Sequence, residues 1–184
     1  MYSMKNSSYW NKIVLVVAVI SVIWLLYMTF IKYISVVTKS NQSKLHHAKA
    51  MVLTCMDFRL IDDIVVKLNN LGYMNNYDQF ILAGASLGYN GIVDYKNWNN
   101  IFDTHVDLAI KLHNIKQIIL IDHLDCGGYK LAYNKQELEN DGEYNKHVEN
   151  LKKAKETLNN KYPGLLVKMF IIDIEGNVMQ PISS

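Results

Sequence analysis

The hydropathy pattern divides the chain into two unlike parts. Residues 13–31 run for 19 positions without a charge, between Lys12 and Lys32. Coiled as a helix at 1.5 Å per residue, such a run is about 28 Å long, close to the hydrocarbon thickness of a bilayer. Trp10 and Tyr33 stand where an interfacial aromatic belt falls. A buried soluble helix would show a polar stripe, and a secretory signal would have a shorter apolar region and a small-residue cleavage site. The pattern therefore predicts a polar tail over residues 1–12 and a transmembrane helix over 13–36, which meets the lipid bilayer through 13–31. A polar linker follows over 37–48, and its His46-His47 pair reads as solvated.

From residue 49 short apolar runs alternate with longer amphipathic stretches. Residues 50–54, 79–83, 116–122 and 165–174 read as strands. Residues 60–71 read as a helix with Ile61, Ile64, Val65, Leu68 and Leu71 on one face, acids in its first turn and Gly72 at its stop. Further helices are predicted over 101–113 and 144–162, the latter ended by Pro163-Gly164. Residues 84–100, rich in Gly and Asn, read as mostly loop, and 127–142 as irregular or partly helical. Strand–helix alternation predicts an α/β fold: three-layer α/β/α with a mainly parallel four-stranded core sheet, preceded by one N-terminal transmembrane helix. This α/β domain spans residues 49–184.

Charge and cysteine usage refine this picture. The net charge is +2 and the lysines are spread out, which gives no electrostatic case for a nucleic-acid partner. Lys32, Lys39 and Lys44 follow the apolar run, against Lys5 and Lys12 before it. This bias predicts a single-pass membrane protein with its C-terminal domain in the cytosol. The two cysteines, Cys55 and Cys126, are too few for a disulfide scaffold. One disulfide or two buried thiols is the plain alternative to a metal site, and a reduced metal site agrees with a cytosolic domain.

Both cysteines follow apolar runs and sit among polar residues. Cys55, Asp57 and Arg59 alternate, so an extended chain projects them to one side. The second stretch is His123-Leu124-Asp125-Cys126-Gly127-Gly128. Two sulfurs and an imidazole suit a Cys2His zinc site with its fourth position open or shared. Asp57 is placed to accept a hydrogen bond from a metal-bound water, held by Arg59, or to be a possible fourth ligand itself. Backbone amides at Gly84 or at Gly127 and Gly128 are candidates for binding a small anionic substrate or product. Cys55, Gly84 and His123 each follow a predicted strand, where α/β folds gather their sites. His105, His113 and His147 read as structural helix residues.

Cys55-Met56-Asp57-Phe58-Arg59 with His123-Leu124-Asp125-Cys126-Gly127-Gly128 resembles the beta-class carbonic anhydrases, which are marked by Cys-x-Asp-x-Arg, an Ala-Gly turn and His-x-x-Cys. Residues 104–112 and Phe170-Ile171-Ile172-Asp173-Ile174 are similar to that family's helix before the third strand and its last core strand. The resemblance spans residues 49–177. It implies zinc (Zn2+) held by Cys55, His123 and Cys126, with Asp57 and Arg59 catalytic. It also implies a homodimer or larger assembly, and reversible hydration of carbon dioxide to bicarbonate by a zinc-bound hydroxide. The chain departs from the family where Ile81-Leu82 replace the usual Arg-Asn before Ala83-Gly84, and where an apolar span replaces the N-terminal helices. Two other readings stay open: a carbonyl sulfide or carbon disulfide hydrolase on the same fold, and a catalytically silent zinc-binding membrane protein.

Overall fold

The uncharged run lies inside one long helix, α1 (Met4–Ser40), in a computed structural model that describes residues 4–40, 46–91 and 97–179. Residues 4–12 and 37–40, read from their polarity as tail and linker, are helical as well. Adding a hydrogen-bonded turn to an existing helix costs far less than starting one. Residues 1–3 of the predicted tail and 41–45 of the predicted linker lie outside the described residues. The apolar stretch Tyr9–Lys32 is long enough to cross a membrane, and none of it is buried against protein. Its large apolar side chains, from Val14 to Ile31, are exposed on all sides of the helix.

Met1–Leu45 forms one unit and His46–Ser184 a second. The second is built on strands β1 (Ala50–Thr54), β2 (Tyr77–Ile81), β3 (Gln117–His123), β4 (Leu166–Ile172) and β5 (Val178–Met179), in the order β2-β1-β3-β4-β5. The first four are parallel, as the strand–helix alternation predicts, and the two-residue β5 adds an antiparallel edge that the sequence pattern did not signal.

Alternate residues of the central strands feed two cores, the period-2 rule for a sheet covered on both faces. Met51, Leu53, Ile118 and Leu120 pack with Phe102, Val106 and Ala109 of α4 (Trp98–His113) and with Leu151, Ala154 and Leu158 of α7 (Gly142–Lys161). Val52, Ile119 and Ile121 pack with Ile64 and Leu68 of α2 (Ile61–Asn70) and with Tyr73. The result is the three-layer α/β/α arrangement. On α2 the apolar face is narrower than its sequence suggests: Ile64 and Leu68 are buried, whereas Ile61, Val65 and Leu71 remain exposed.

Two stretches differ from expectation. The second strand ends at Ile81, two residues early, and the stretch read as loop begins with a short helix, α3 (Ser86–Asn90). Gly84 and Ala85 both take positive φ, turning the chain sharply into α3. At Gly88 a Cβ would stand 2.4 Å from the Ala83 carbonyl oxygen, so α3 lies against the turn at backbone distance. Beyond β3 the chain forms α5 (Gly127–Ala132) and α6 (Lys135–Leu138), the partly helical segment anticipated there.

Candidate metal centre

Thr54, the last residue of β1, pairs with Ile121, so Cys55 leaves the sheet while β3 continues to His123. Asp57 then caps a short 3-10 turn (Phe58–Leu60), and Cys126 is the N-cap residue of α5. These connections bring one ligand atom each from Cys55, His123 and Cys126 to within 4.8 Å of one another. The Cys55 and Cys126 sulfurs are 3.9 Å apart and form no disulfide. Two thiolates about 2.3 Å from a tetrahedral zinc stand about 3.8 Å apart, so the spacing fits.

The imidazole supplies a second test of fit. His123 Nδ1 lies 2.8 Å from the Leu124 carbonyl oxygen, which only accepts, so Nδ1 carries the proton. Nε2 is left with its lone pair, buried and without a hydrogen-bond partner. An orphaned buried nitrogen beside two sulfurs is the donor set of a soft divalent metal. The Cys55 thiol is held below its usual range: it accepts from the Cys126 thiol, burial opposes, and His123 and the Gly84 N–H assist. Cys126 is pushed up by donating to Cys55 and by burial. Burial pushes the His123 pKa down, but the neighbouring Cys55 sulfur, the Leu124 carbonyl and the Asp57 charge together outweigh it and the net direction is up.

Asp57 stands outside the three-ligand cluster. Its Oδ2 is 3.9 Å from His123 Nε2, and both its oxygens are engaged by Arg59. The Arg59 backbone N–H and Nε donate to Oδ1 at 3.1 and 2.9 Å, and Nη2 donates to Oδ2 at 2.6 Å. These bonds hold the Asp57 carboxyl down at about 2 against the opposing effect of burial. Arg59 also reaches the Asp125 side chain at 2.8 Å and its backbone carbonyl at 3.2 Å, and Lys130 donates to the same carboxylate. Met56 and Phe58, the intervening residues, are 65% and 80% exposed.

Of the predicted glycine sites, Gly84 has its N–H directed at Cys55 Sγ, 3.3 Å away. Gly128 serves close packing, since a Cβ there would be 3.2 Å from Gly84 Cα. A Cβ on Gly127 would face open space. Among the helix histidines, His113 pairs with Asp78 at 2.7 Å and His105 bonds back to the Ile101 carbonyl, so both have structural partners. Sequence reasoning gave Asp125 no role. Its signal was a short polar residue in a tight turn between His123 and Cys126, where its φ is +59°. Glu143, whose side chain accepts the Cys126 N–H at 3.0 Å, had no local signal, being 17 residues away in the chain.

The comparisons with known proteins agree with this geometry. A family described as "Putative carbonic anhydrase" matches residues 45–181. An uncharacterised protein of Rickettsia conorii is 34% identical over 146 residues, which cover 78% of this chain and 77% of that protein. An uncharacterised protein of Rickettsia bellii is 34% identical over 147 residues, covering 78% and 88%. A tetrameric beta-carbonic anhydrase of Sordaria macrospora superposes with a TM-score of 0.51 at 16% identity, over 87% of this chain and 97% of that one. A beta-carbonic anhydrase of Aspergillus fumigatus does so with a TM-score of 0.51 at 13% identity, over 89% and 90%. At such identities the structural likeness is one of fold.

Proposed function

The chain belongs to the beta-class carbonic anhydrase family as a divergent member, and from that premise we propose that it hydrates carbon dioxide reversibly to bicarbonate at a zinc ion held by Cys55, His123 and Cys126. The observation that carries this reading is the convergence of two free thiols on a buried imidazole nitrogen that has no other partner. When bound there, zinc supplies a Lewis acid that brings the pKa of a water toward neutrality. The chain's own residues supply orientation. Asp57, ionised and gripped by Arg59, accepts a hydrogen bond from the reacting hydroxyl and turns its lone pair toward carbon dioxide. Arg59 keeps Asp57 in that pose and off the metal, while Asp125 and Lys130 hold Arg59. A carboxyl that titrates near 2 does not store the proton released at neutral pH, so Asp57 is an acceptor and not a general base.

Helix α1 anchors the chain in a bilayer through Tyr9–Lys32, with the metal domain on the cytosolic side. Apolar side chains all around α1 support the anchor, and the lysine bias supports the side. A homodimer is supported by Met56 and Phe58, large apolar residues left in water next to the site. Ile81, 54% exposed at the end of β2, gives one reason to test the apolar substrates carbonyl sulfide and carbon disulfide as a second reading.

The test is stopped-flow carbon dioxide hydration by the zinc-loaded full chain in detergent. A rate above buffer, abolished in Cys126→Ala and by a strong chelator, is expected. A fully zinc-loaded, folded chain without hydration activity refutes the proposal; sulfide release from carbon disulfide by that same sample would establish the second reading.

A further inference from the structure

Asp122 is out of place for its strand. It follows four buried apolar residues, Ile118 to Ile121, and is itself 1% exposed. A carboxylate there costs desolvation that an apolar side chain would not incur. Four donors offset that cost: the Ser86 N–H at 3.0 Å, the Ser86 hydroxyl, the Tyr129 hydroxyl at 2.8 Å and His147 Nδ1 at 2.9 Å. His147 is fully buried in the face of α7, with its ring 3.6 Å from that of Tyr129. Its Nε2 has no hydrogen-bond partner and lies 3.8 Å from Glu143 Oε1. That oxygen is the one that accepts the Cys126 N–H.

The network reaches all three ligand segments: it meets those of His123 and Cys126 through the backbone and that of Cys55 through the Gly84 N–H. Asp122 is bonded through the peptide to His123. Ser86, pinned to Asp122 by two hydrogen bonds, holds the turn whose Gly84 N–H reaches Cys55 Sγ. Glu143 fixes the backbone of Cys126 at the start of α5. The three segments come from different strand ends, and α7 brings a buried imidazole between the two carboxylates that join them.

We propose that Asp122, His147 and Glu143 are positioning residues that hold Cys55, His123 and Cys126 in a ligating arrangement before the metal arrives. This inference rests on the zinc reading above. The buried side chains brace the turns, and Glu143 completes the link by holding the Cys126 amide. Partners behind the ligands of metal sites commonly change affinity 10- to 100-fold when removed.

The test uses the full chain in detergent with Co2+ as the probe. The measurements are the thiolate-to-cobalt charge-transfer band, the d–d bands, affinity by chelator competition, and the thermal midpoint of the metal-free protein. Glu143→Ala is the first variant, because Glu143 is partly exposed and its loss leaves the core intact. Expected are about tenfold or weaker cobalt binding, shifted d–d bands and an unchanged metal-free midpoint. Glu143→Gln, which keeps an oxygen for the Cys126 N–H, should restore affinity to within about threefold of the parent chain. His147→Asn, whose amide can reach Asp122 but not Glu143, should shift the bands in the same direction as Glu143→Ala. Parent-like affinity and bands in Glu143→Ala overturn the inference, as does a loss of affinity matched by a lower metal-free midpoint. If the parent chain shows no thiolate–cobalt band, the zinc reading itself fails and this inference falls with it; a normal parent band with unchanged variants overturns only the positioning role.

Discussion

Asp57 and Arg59 make the sharpest demand on a single side chain. The carboxyl is depressed from 3.8 to about 2, first by its hydrogen bonds with Arg59. A depressed acid contributes stability that is present above its unfolded value and is lost as pH falls through its folded value. For Asp57 that window lies below pH 4, so its charge is constant throughout the neutral range. Asp57→Asn should therefore cost about a hundredfold in turnover, the scale of losing one oriented polar contact to a transition state. It should retain stoichiometric zinc and leave the midpoint of the pH–rate profile in place. A shifted midpoint would show that Asp57 titrates in the working range. The pair was legible as a motif because an Arg two residues from an Asp can grip its carboxylate, although the contact forms across the 3-10 turn (Phe58–Leu60) and not along an extended strand as expected. The role of Asp125 was not, since only the fold carries it to Arg59, 66 residues away.

At the scale of elements, the turn into α3 is a join at backbone distance. Gly88→Ala would drive a Cβ into the Ala83 carbonyl oxygen and against Leu82. It should destabilise the domain by about 1–3 kcal/mol in chemical denaturation, as overpacking of an unyielding contact does. Gly127→Ala, with open space at the same point, should stay within about 0.5 kcal/mol. Equal effects at the two positions would mean that α3 does not sit at backbone distance from the turn. The strands β1, β3 and β4 were readable because a parallel strand buried on both faces has few polar interruptions. The helix α3 was not: its five residues follow two positive-φ positions and carry no periodic stripe, so tertiary contact alone makes them helical. The exposure of Ile61 and Val65 on α2 was equally hidden, because amphipathic spacing marks a face and not how much of it the sheet covers.

At the scale of the whole molecule, a helix with apolar residues on every side is joined to a domain with its own two-sided core. The anchor reading predicts that the full chain stays with membranes through an alkaline carbonate wash, while a chain lacking residues 1–45 is released into the soluble fraction. Release of the full chain by the wash would remove the transmembrane assignment. The domain's family membership does not depend on that outcome, since the family match begins at residue 45.

By itself the sequence determined the class of fold, the candidate metal cluster of two thiols and an imidazole, and the long apolar helix. Each of these is written in local chemistry: strand-length apolar runs, thiols and an imidazole after strand ends, and 19 residues without a charge. Only the tertiary structure decided that Arg59 engages both oxygens of Asp57, and that Gly84 directs its amide at Cys55. It alone placed His147, read from the sequence as an ordinary helix residue, between two carboxylates behind the site. The physical reason is distance along the chain. A motif records what neighbouring residues do together, whereas a hydrogen bond between residues 122 and 147 exists only after β3 and α7 have packed.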